Sequence, residues 1–346
     1  MSPTVSVVIP AYNVEKFIAL SLRSVLAQTF TDFEVLVVND GSTDGTVAVA
    51  ATFDDPRVRI VTQLNRGLAG ARNGGIRAAR GKYVAFLDAD DLWLPAKLAL
   101  HVAHLDARPE VGVSYCPSEF MDDDGKSMGI LQMPKFEDIS SKDIFLRNPV
   151  GNGSVPVIRM ATLQDIAMPA KNGITGEQWY FDETFRQSED IECWTRITLQ
   201  THWRFEGLRE ALTLYRVNSG GLSANVERQL ASWDRMTEVT AEYAPDFIAR
   251  WRDEGRGYQL RYLARRAVRA GNPRHALSLL WQALRTHPAL LRQECARTLL
   301  TLAAALVQLC VPAAVYRWAE TRAMAVMGKL QQKNARADDV ERHVSC

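Results

Sequence analysis

The chain has 346 residues, 47% of them hydrophobic, and a formal net charge of +1. That length holds two domains or one enlarged domain with a proper core, and the near-neutral balance gives no argument for nucleic acid as a partner. Five scattered cysteines without a C-x-x-C spacing argue against zinc or redox chemistry and fit a reducing compartment, and the N-terminus lacks the basic and apolar regions of a signal peptide, so a cytoplasmic location is expected.

Short apolar, β-branched runs alternate with amphipathic stretches from the start. Residues 5–9 read as a strand, 14–28 as a helix and 34–38 as a strand, followed by a Gly/Ser/Thr/Asp turn over 40–45. A short helix to Phe53, a strand at 58–61, a helix over 68–79 and a buried strand at 83–87 follow. This alternation predicts a parallel α/β sheet covered on both faces, with ligands bound outside the carboxyl ends of the strands. Residues 10–13, 39–42 and 88–90 lie at such ends and are expected to converge on one crevice. From 111 to 216 the pattern loosens into shorter pieces with polar loops at 121–125 and 148–153, which fits a second substrate's pocket. Beyond residue 225 the chain reads as helical, with a helix pair over 256–291 broken at Ala270-Gly271-Asn272-Pro273. Between Arg252 and Arg297 ten arginines face three acids (Asp253, Glu254, Glu294); acidic lipid headgroups or an anionic acceptor would suit this segment, as would solvated helix faces. Residues 298–316 are nineteen in a row without a charge, long enough for a buried helix, a membrane-surface helix or a short span.

Asp88-Ala89-Asp90 closes the apolar run of 83–87. In an extended backbone residues i and i+2 point the same way, so the two carboxylates can converge on one divalent cation that holds a diphosphate. The alternative is an acidic helix entry, with Asp91 as N-cap and Pro95 near the first turn. Asp40 is placed to accept hydrogen bonds from a nucleobase edge, with Tyr12 as a stacking face, or else to organise its own turn before Gly41. The segment 67–75 combines close-approach glycines with Arg72, which can neutralise a phosphate or order the base site; neither G-x-G-x-x-G nor G-x-x-x-x-G-K-[ST] is present. Ser188-Glu189-Asp190 precedes the periodic Ile191, Trp194 and Ile197. Ser188 can cap that helix with the acids complementing its dipole, or Asp190 can serve as a general base, kept ionised by the helix N-terminus.

Four blocks in order, 5–13, 37–44, 66–73 and 86–91, resemble those of the family 2 glycosyltransferases of the GT-A fold, over roughly residues 3–220. The resemblance implies inverting transfer of a sugar from a nucleotide-diphospho-sugar, UDP-linked by default with thymidine or guanosine as options, to an acceptor hydroxyl on a glycan or lipid-linked molecule, assisted by Mg²⁺ or Mn²⁺. It implies nucleotide-sugar binding at Pro10, Tyr12, Asp40, Arg72 and Asp88, metal binding at Asp90 with Asp88, and Asp190 as the base. Glu189, Trp194 and Asn218 are placed on the acceptor or loop side. Two departures narrow the reading. Asn218 stands where many relatives have a histidine, so 218–223 is read as a closing loop. The Q-x-x-R-W of processive synthases is absent, with Phe247 before Arg250-Trp251 and Ala314 before Arg317-Trp318, which favours single-residue transfer. The domains implied are a catalytic 1–222, with 1–110 for the nucleotide-sugar and 111–222 for the acceptor, and a helical 223–346 with possible membrane contact. The expected role is surface polysaccharide or glycoconjugate assembly. A nucleotidyltransferase on a related fold and a non-catalytic assembly partner are the rivals.

Overall fold

The computed structural model describes residues 2–174, 176–217, 226–312, 316 and 322. In chain order the elements are β1 (Val5–Ala11), α1 (Ile18–Leu26), β2 (Phe33–Asp40), α2 (Thr46–Ala50), β3 (Val58–Gln63), α3 (Gly67–Ala78), β4 (Tyr83–Phe86), β5 (Leu92–Trp93) and α4 (Lys97–Ala107). There follow β6 (Val111–Tyr115), β7 (Ser118–Met121), β8 (Ser127–Gln132), α5 (Ser141–Arg147), β9 (Val157–Arg159), α6 (Met160–Asp165), β10 (Met168–Pro169), β11 (Gln178–Trp179), α7 (Glu189–Gln200), β12 (Arg204–Gly207) and β13 (Thr213–Arg216). The rest is helical: α8 (Val226–Tyr243), α9 (Pro245–Arg269), α10 (Pro273–Thr286), α11 (Leu290–Gln293) and α12 (Cys295–Cys310).

The main sheet runs β12-β6-β9-β4-β1-β2-β3. Strands β1, β2, β3 and β4 are parallel, and β9 enters antiparallel between β4 and β6. Successive residues of each central strand feed opposite cores: Val7, Ile9, Val35, Val37 and Ala85 pack on one face, and Val8, Leu36, Val38, Val84 and Phe86 on the other. Burial on both faces is why these strands read as continuous apolar runs rather than alternating ones. The expected mostly parallel α/β architecture with a helical C-terminal region is borne out. A second sheet runs β5-β13-β7-β8.

One local reading needs correction. Leu92-Trp93 is not a helix entry but a strand, paired antiparallel with Leu214 and Thr213, and α4 begins only at Lys97. Asp91 caps nothing, because its carboxylate is fully buried elsewhere.

By internal contacts the chain forms two compact units: Met1–Ile144 with Asn148–Asn218, and Phe145–Arg147 with Ser219–Cys346. Among the described residues no helix is long and apolar enough to cross a membrane.

Candidate active site

Three strand ends, β1, β2 and β4, open on the same edge of the first unit because the strands are parallel. Pro10 is buried on β1 and Tyr12, just past its end, is 51% exposed. The first two loops are tied together: Asn13, at φ +52°, accepts from the Thr43 N–H at 2.9 Å, and its own N–H donates to Ser42 Oγ at 3.2 Å. Asn39, not Asp40, organises the turn, accepting from the Ser42 N–H at 2.9 Å.

Asp40 is buried, and its carboxylate reaches the next loop instead. One oxygen accepts from the Arg66 N–H and Gln63 Nε2, and the other from the Gly67 N–H, all at 2.8 Å. The Arg66 and Gly67 N–H groups are the first donors of α3, left without helical partners, so Asp40 caps that helix from a neighbouring strand. Its carboxylate is therefore tied to the protein's own backbone at the place where a base edge was expected.

Arg72 projects from α3 and is 2% exposed. It donates to Glu189 Oε1 at 2.6 Å and to Asp88 Oδ1 at 2.9 Å, and its guanidinium lies 5.6 Å from the centre of the Phe181 ring. Burial opposes its charge, but Asp88, Glu189 and Asp190 outweigh that and hold its pKa above the ordinary arginine value. A Cβ on Gly153 would stand 2.1 Å from Arg72 Nη2 and 2.8 Å from Asp88 Oδ2. Only a residue without a side chain lets this loop close over the ion pair.

Asp88 and Asp90 are partly exposed, while Asp91 turns inward. Ser154 Oγ donates to Asp91 at 2.5 Å and accepts from the Asp88 N–H at 2.9 Å; the Arg216 N–H donates to the other Asp91 oxygen at 2.8 Å. Arg216 Nε also donates to the Asp90 carbonyl at 2.8 Å. Burial first, then the charges of Asp90 and Asp88, push the Asp91 carboxyl well above the usual range. Asp91, Gly153, Ser154 and Arg216 together hold the carboxylate loop in shape; the sequence offered Asp91 only as a helix entry and Gly153 only as the end of a polar loop, and Ser154 was not singled out.

On α7, Asp190 accepts from the Ile191 N–H at 2.8 Å and from Asn148 Nδ2 at 3.3 Å. Burial raises its pKa, against the pull of Arg72 and of the Ile191 N–H, and Asp88 adds to the rise. A helix N-terminus alone would lower it, so here desolvation wins. Glu189, also buried and raised first by burial, faces Arg72. Ser188 does not cap: it sits at φ +62° with no side-chain bond to the helix. That strained residue sets the entry of α7. Trp194 is 1% exposed and packs edge-on against Phe181 and Phe205 at 5.9 and 6.2 Å. It belongs to the core behind the acids rather than to an acceptor surface, because its spacing along α7 points it inward. Asn218 and the 218–223 loop lie outside the described residues.

An α/β sheet with carboxylates at the end of β4, an arginine beneath them and further acids opposite defines a GT-A fold, and solved structures agree. The chain superposes on a mannosyltransferase from Pyrobaculum calidifontis in complex with GDP-Man and Mn²⁺ with TM-score 0.56 and 22% identity, covering 96% of this chain and 87% of that one. It superposes on residues 1–349 of S. aureus TarS in complex with UDP-GlcNAc with TM-score 0.52 and 21% identity, covering 85% and 92%. The family model "Glycosyl transferase family 2" matches residues 6–162. Bacillus subtilis "Putative teichuronic acid biosynthesis glycosyltransferase TuaG" is 30% identical over 227 residues, 64% of this chain and 82% of that protein. This chain belongs to glycosyl transferase family 2, as its four sequence blocks implied. An Escherichia coli protein, "UDP-Glc:alpha-D-GlcNAc-diphosphoundecaprenol beta-1,3-glucosyltransferase WfgD", is 41% identical over 100 residues, 29% of this chain and 40% of that one. The chain spans well under two thirds of the length of that protein and of several other curated relatives, 27% in the case of B. subtilis EpsJ.

Proposed function

We propose that this chain is a non-processive inverting glycosyltransferase that moves a sugar from a nucleoside-diphospho-sugar to an acceptor hydroxyl in surface polysaccharide or glycoconjugate assembly. One observation carries the reading: the buried Arg72 binds Asp88 at the end of β4 and Glu189 beside Asp190 on α7, so that the donor-side and acceptor-side carboxylates form a single charged unit. In this proposal residues 1–110 handle the nucleotide-sugar, 111–222 the acceptor, and 223–346 form the helical appendage. Names of relatives in teichuronic acid and succinoglycan biosynthesis support the pathway class, and the nucleotide-sugars carried by two solved neighbours support the donor class, with a UDP-sugar preferred.

The donor set suits a hard divalent cation. Asp88 and Asp90 offer oxygen ligands, partly exposed at the end of β4. Among the described residues no cluster of three or more His, Cys, Asp or Glu forms a ready cage. Two carboxylates with the remaining positions left to diphosphate oxygens and water is the habit of Mg²⁺ and Mn²⁺. A bound cation would offset charge on the departing diphosphate.

The chain's own groups do the rest. Tyr12 offers a ring to the base, and Asp40 shapes the Arg66–Gly67 backbone beside it. Asp190, with its pKa raised by burial, takes the acceptor's proton as the hydroxyl attacks. Asn148 and the Ile191 N–H aim its carboxylate, and Glu189 keeps Arg72 in place. Transfer and donor hydrolysis across a panel of nucleotide-sugars with Mn²⁺ test the reading. Asp190→Asn is expected to lower turnover at least about 100-fold with donor binding retained. Unchanged turnover would favour nucleotidyl transfer, in which Asp190 has no task.

A further inference from the structure

In the helical unit, α12 is built the reverse of an ordinary surface helix. It buries Thr298, Thr301 and Ala305, and it exposes Leu299, Leu300, Leu302, Leu306, Val307 and Leu309. On this side Gln308 Nε2 donates to the Val268 carbonyl of α9 at 2.8 Å, and Thr301 Oγ1 turns back to the Arg297 carbonyl of its own helix at 2.8 Å. A soluble helix turns its apolar stripe to the core and its polar face to water. Here the leucines face outward, Leu300 being 69% exposed, and no charged residue interrupts the sequence from 298 to 316. Contiguous apolar surface of this kind marks an interaction site.

At the start of the same helix the charge is lopsided. Glu294 is shared by Arg147, by Arg261 at 3.3 Å and by Arg297 at 3.3 Å. Arg261 is 7% exposed, and among the described residues its Nε and Nη1 have no hydrogen-bond partner. Burial and the neighbouring charges of Arg265, Arg297 and Arg147 pull its pKa down to about 10. The helix N-terminus adds its own positive end to these guanidiniums, and one carboxylate does not balance them.

We propose that α12 docks this chain on an anionic phospholipid surface, its leucine face entering the acyl-chain boundary and the exposed guanidiniums of Arg147 and Arg297 at its N-terminus meeting lipid phosphates. Charge selects this occupant over a second copy of the chain, which would bring ten more arginines and only three acids between residues 252 and 297. The helix is too short to span: sixteen residues reach about 24 Å, against about 30 Å of hydrocarbon. The proposal goes beyond the transfer reaction and does not depend on it.

The test is co-sedimentation of the full chain with vesicles of phosphatidylcholine alone and of phosphatidylcholine mixed with phosphatidylglycerol. Binding to the mixed vesicles, weakened by salt, is expected, with a loss of about tenfold or more in Leu300→Glu/Leu306→Glu. Leu300→Ser/Leu306→Ser, a milder change on the same exposed positions, should show an intermediate loss, and both should keep the donor hydrolysis rate of the parent in vesicle-free solution. No binding to either vesicle, or equal binding to both, overturns the proposal. So does a shift by light scattering from dimer to monomer in the Glu variant, which would assign the face to a second copy.

Discussion

Arg72 is the residue on which the charges of the site turn. It sits 16 residues from Asp88 and 117 from Glu189 in sequence, so its block was recognisable while its partners were not. Its charge also governs the proposed base. Burial holds the Asp190 carboxyl above the ordinary aspartate value of 3.8, and Arg72 is the largest influence in the other direction. A base must be ionised, so kcat/KM should fall on the acid side through a pKa above 3.8 rather than below it. Arg72→Gln removes a cation that favours the ionised form, and the acidic limb should move to higher pH. The variant should also lose stability, since the buried Glu189 would be left unpaired, a change that typically costs about 3 kcal/mol. A pH–rate profile of the folded variant checks the sign; a limb that stays in place would detach Arg72 from the base. Asp40 teaches a related lesson. Its position at a strand end was legible, but the donors that its carboxylate takes belong to a loop more than twenty residues on, and such partners exist only after the sheet has formed.

At the level of elements, α3 and β1 show what the glycines of 67–75 do. A Cβ at Gly75 would lie 2.2 Å from Val8 Cγ1, so the helix rests directly on the strand with no room for a methyl group. Val8 is fully buried and β-branched and has little freedom to move aside. Gly75→Ala is therefore expected to cost about 1–3 kcal/mol through overpacking, despite the better helix propensity of alanine, and to lower the melting temperature by several degrees. A calorimetric melt at or above the parent value would contradict this packing. The close-approach glycines were legible as such; that Gly75 approaches a core valine rather than a phosphate was not. The same limit produced the misreading of 91–95. Acid followed by proline suits a helix start, yet β13, far along the chain, claims Leu92 and Trp93 as strand partners, and pairing outweighs local propensity.

For the whole molecule, the proposed site makes stability depend on two ligands at once. A ligand that binds only the native state raises stability by about 2.7 kcal/mol at a hundred times its Kd, which corresponds to several degrees for a unit of this size. UDP with Mn²⁺ should therefore raise the melting temperature more than UDP alone, and chelation with EDTA should remove the difference. Asp90→Asn should abolish the Mn²⁺ increment while leaving the smaller effect of UDP. An equal shift with and without the cation would argue against metal-assisted donor binding.

Much of this protein is decided by local pattern. Short apolar strand runs, amphipathic helices and the turn residues between them specify a parallel α/β sheet, because each depends on residues close in sequence, and the four ordered blocks carry the resemblance to family 2. Only the tertiary structure decided how the carboxylates are divided among tasks. Asp91 turns in to Ser154 and Arg216, Asp40 caps α3, Glu189 holds Arg72, and Trp194 goes to the core. It likewise decided that the uncharged stretch after Arg297 exposes its leucines and buries its threonines. A side chain's ionisation, partners and face depend on what the rest of the chain packs around it, and no window of neighbouring residues contains that information.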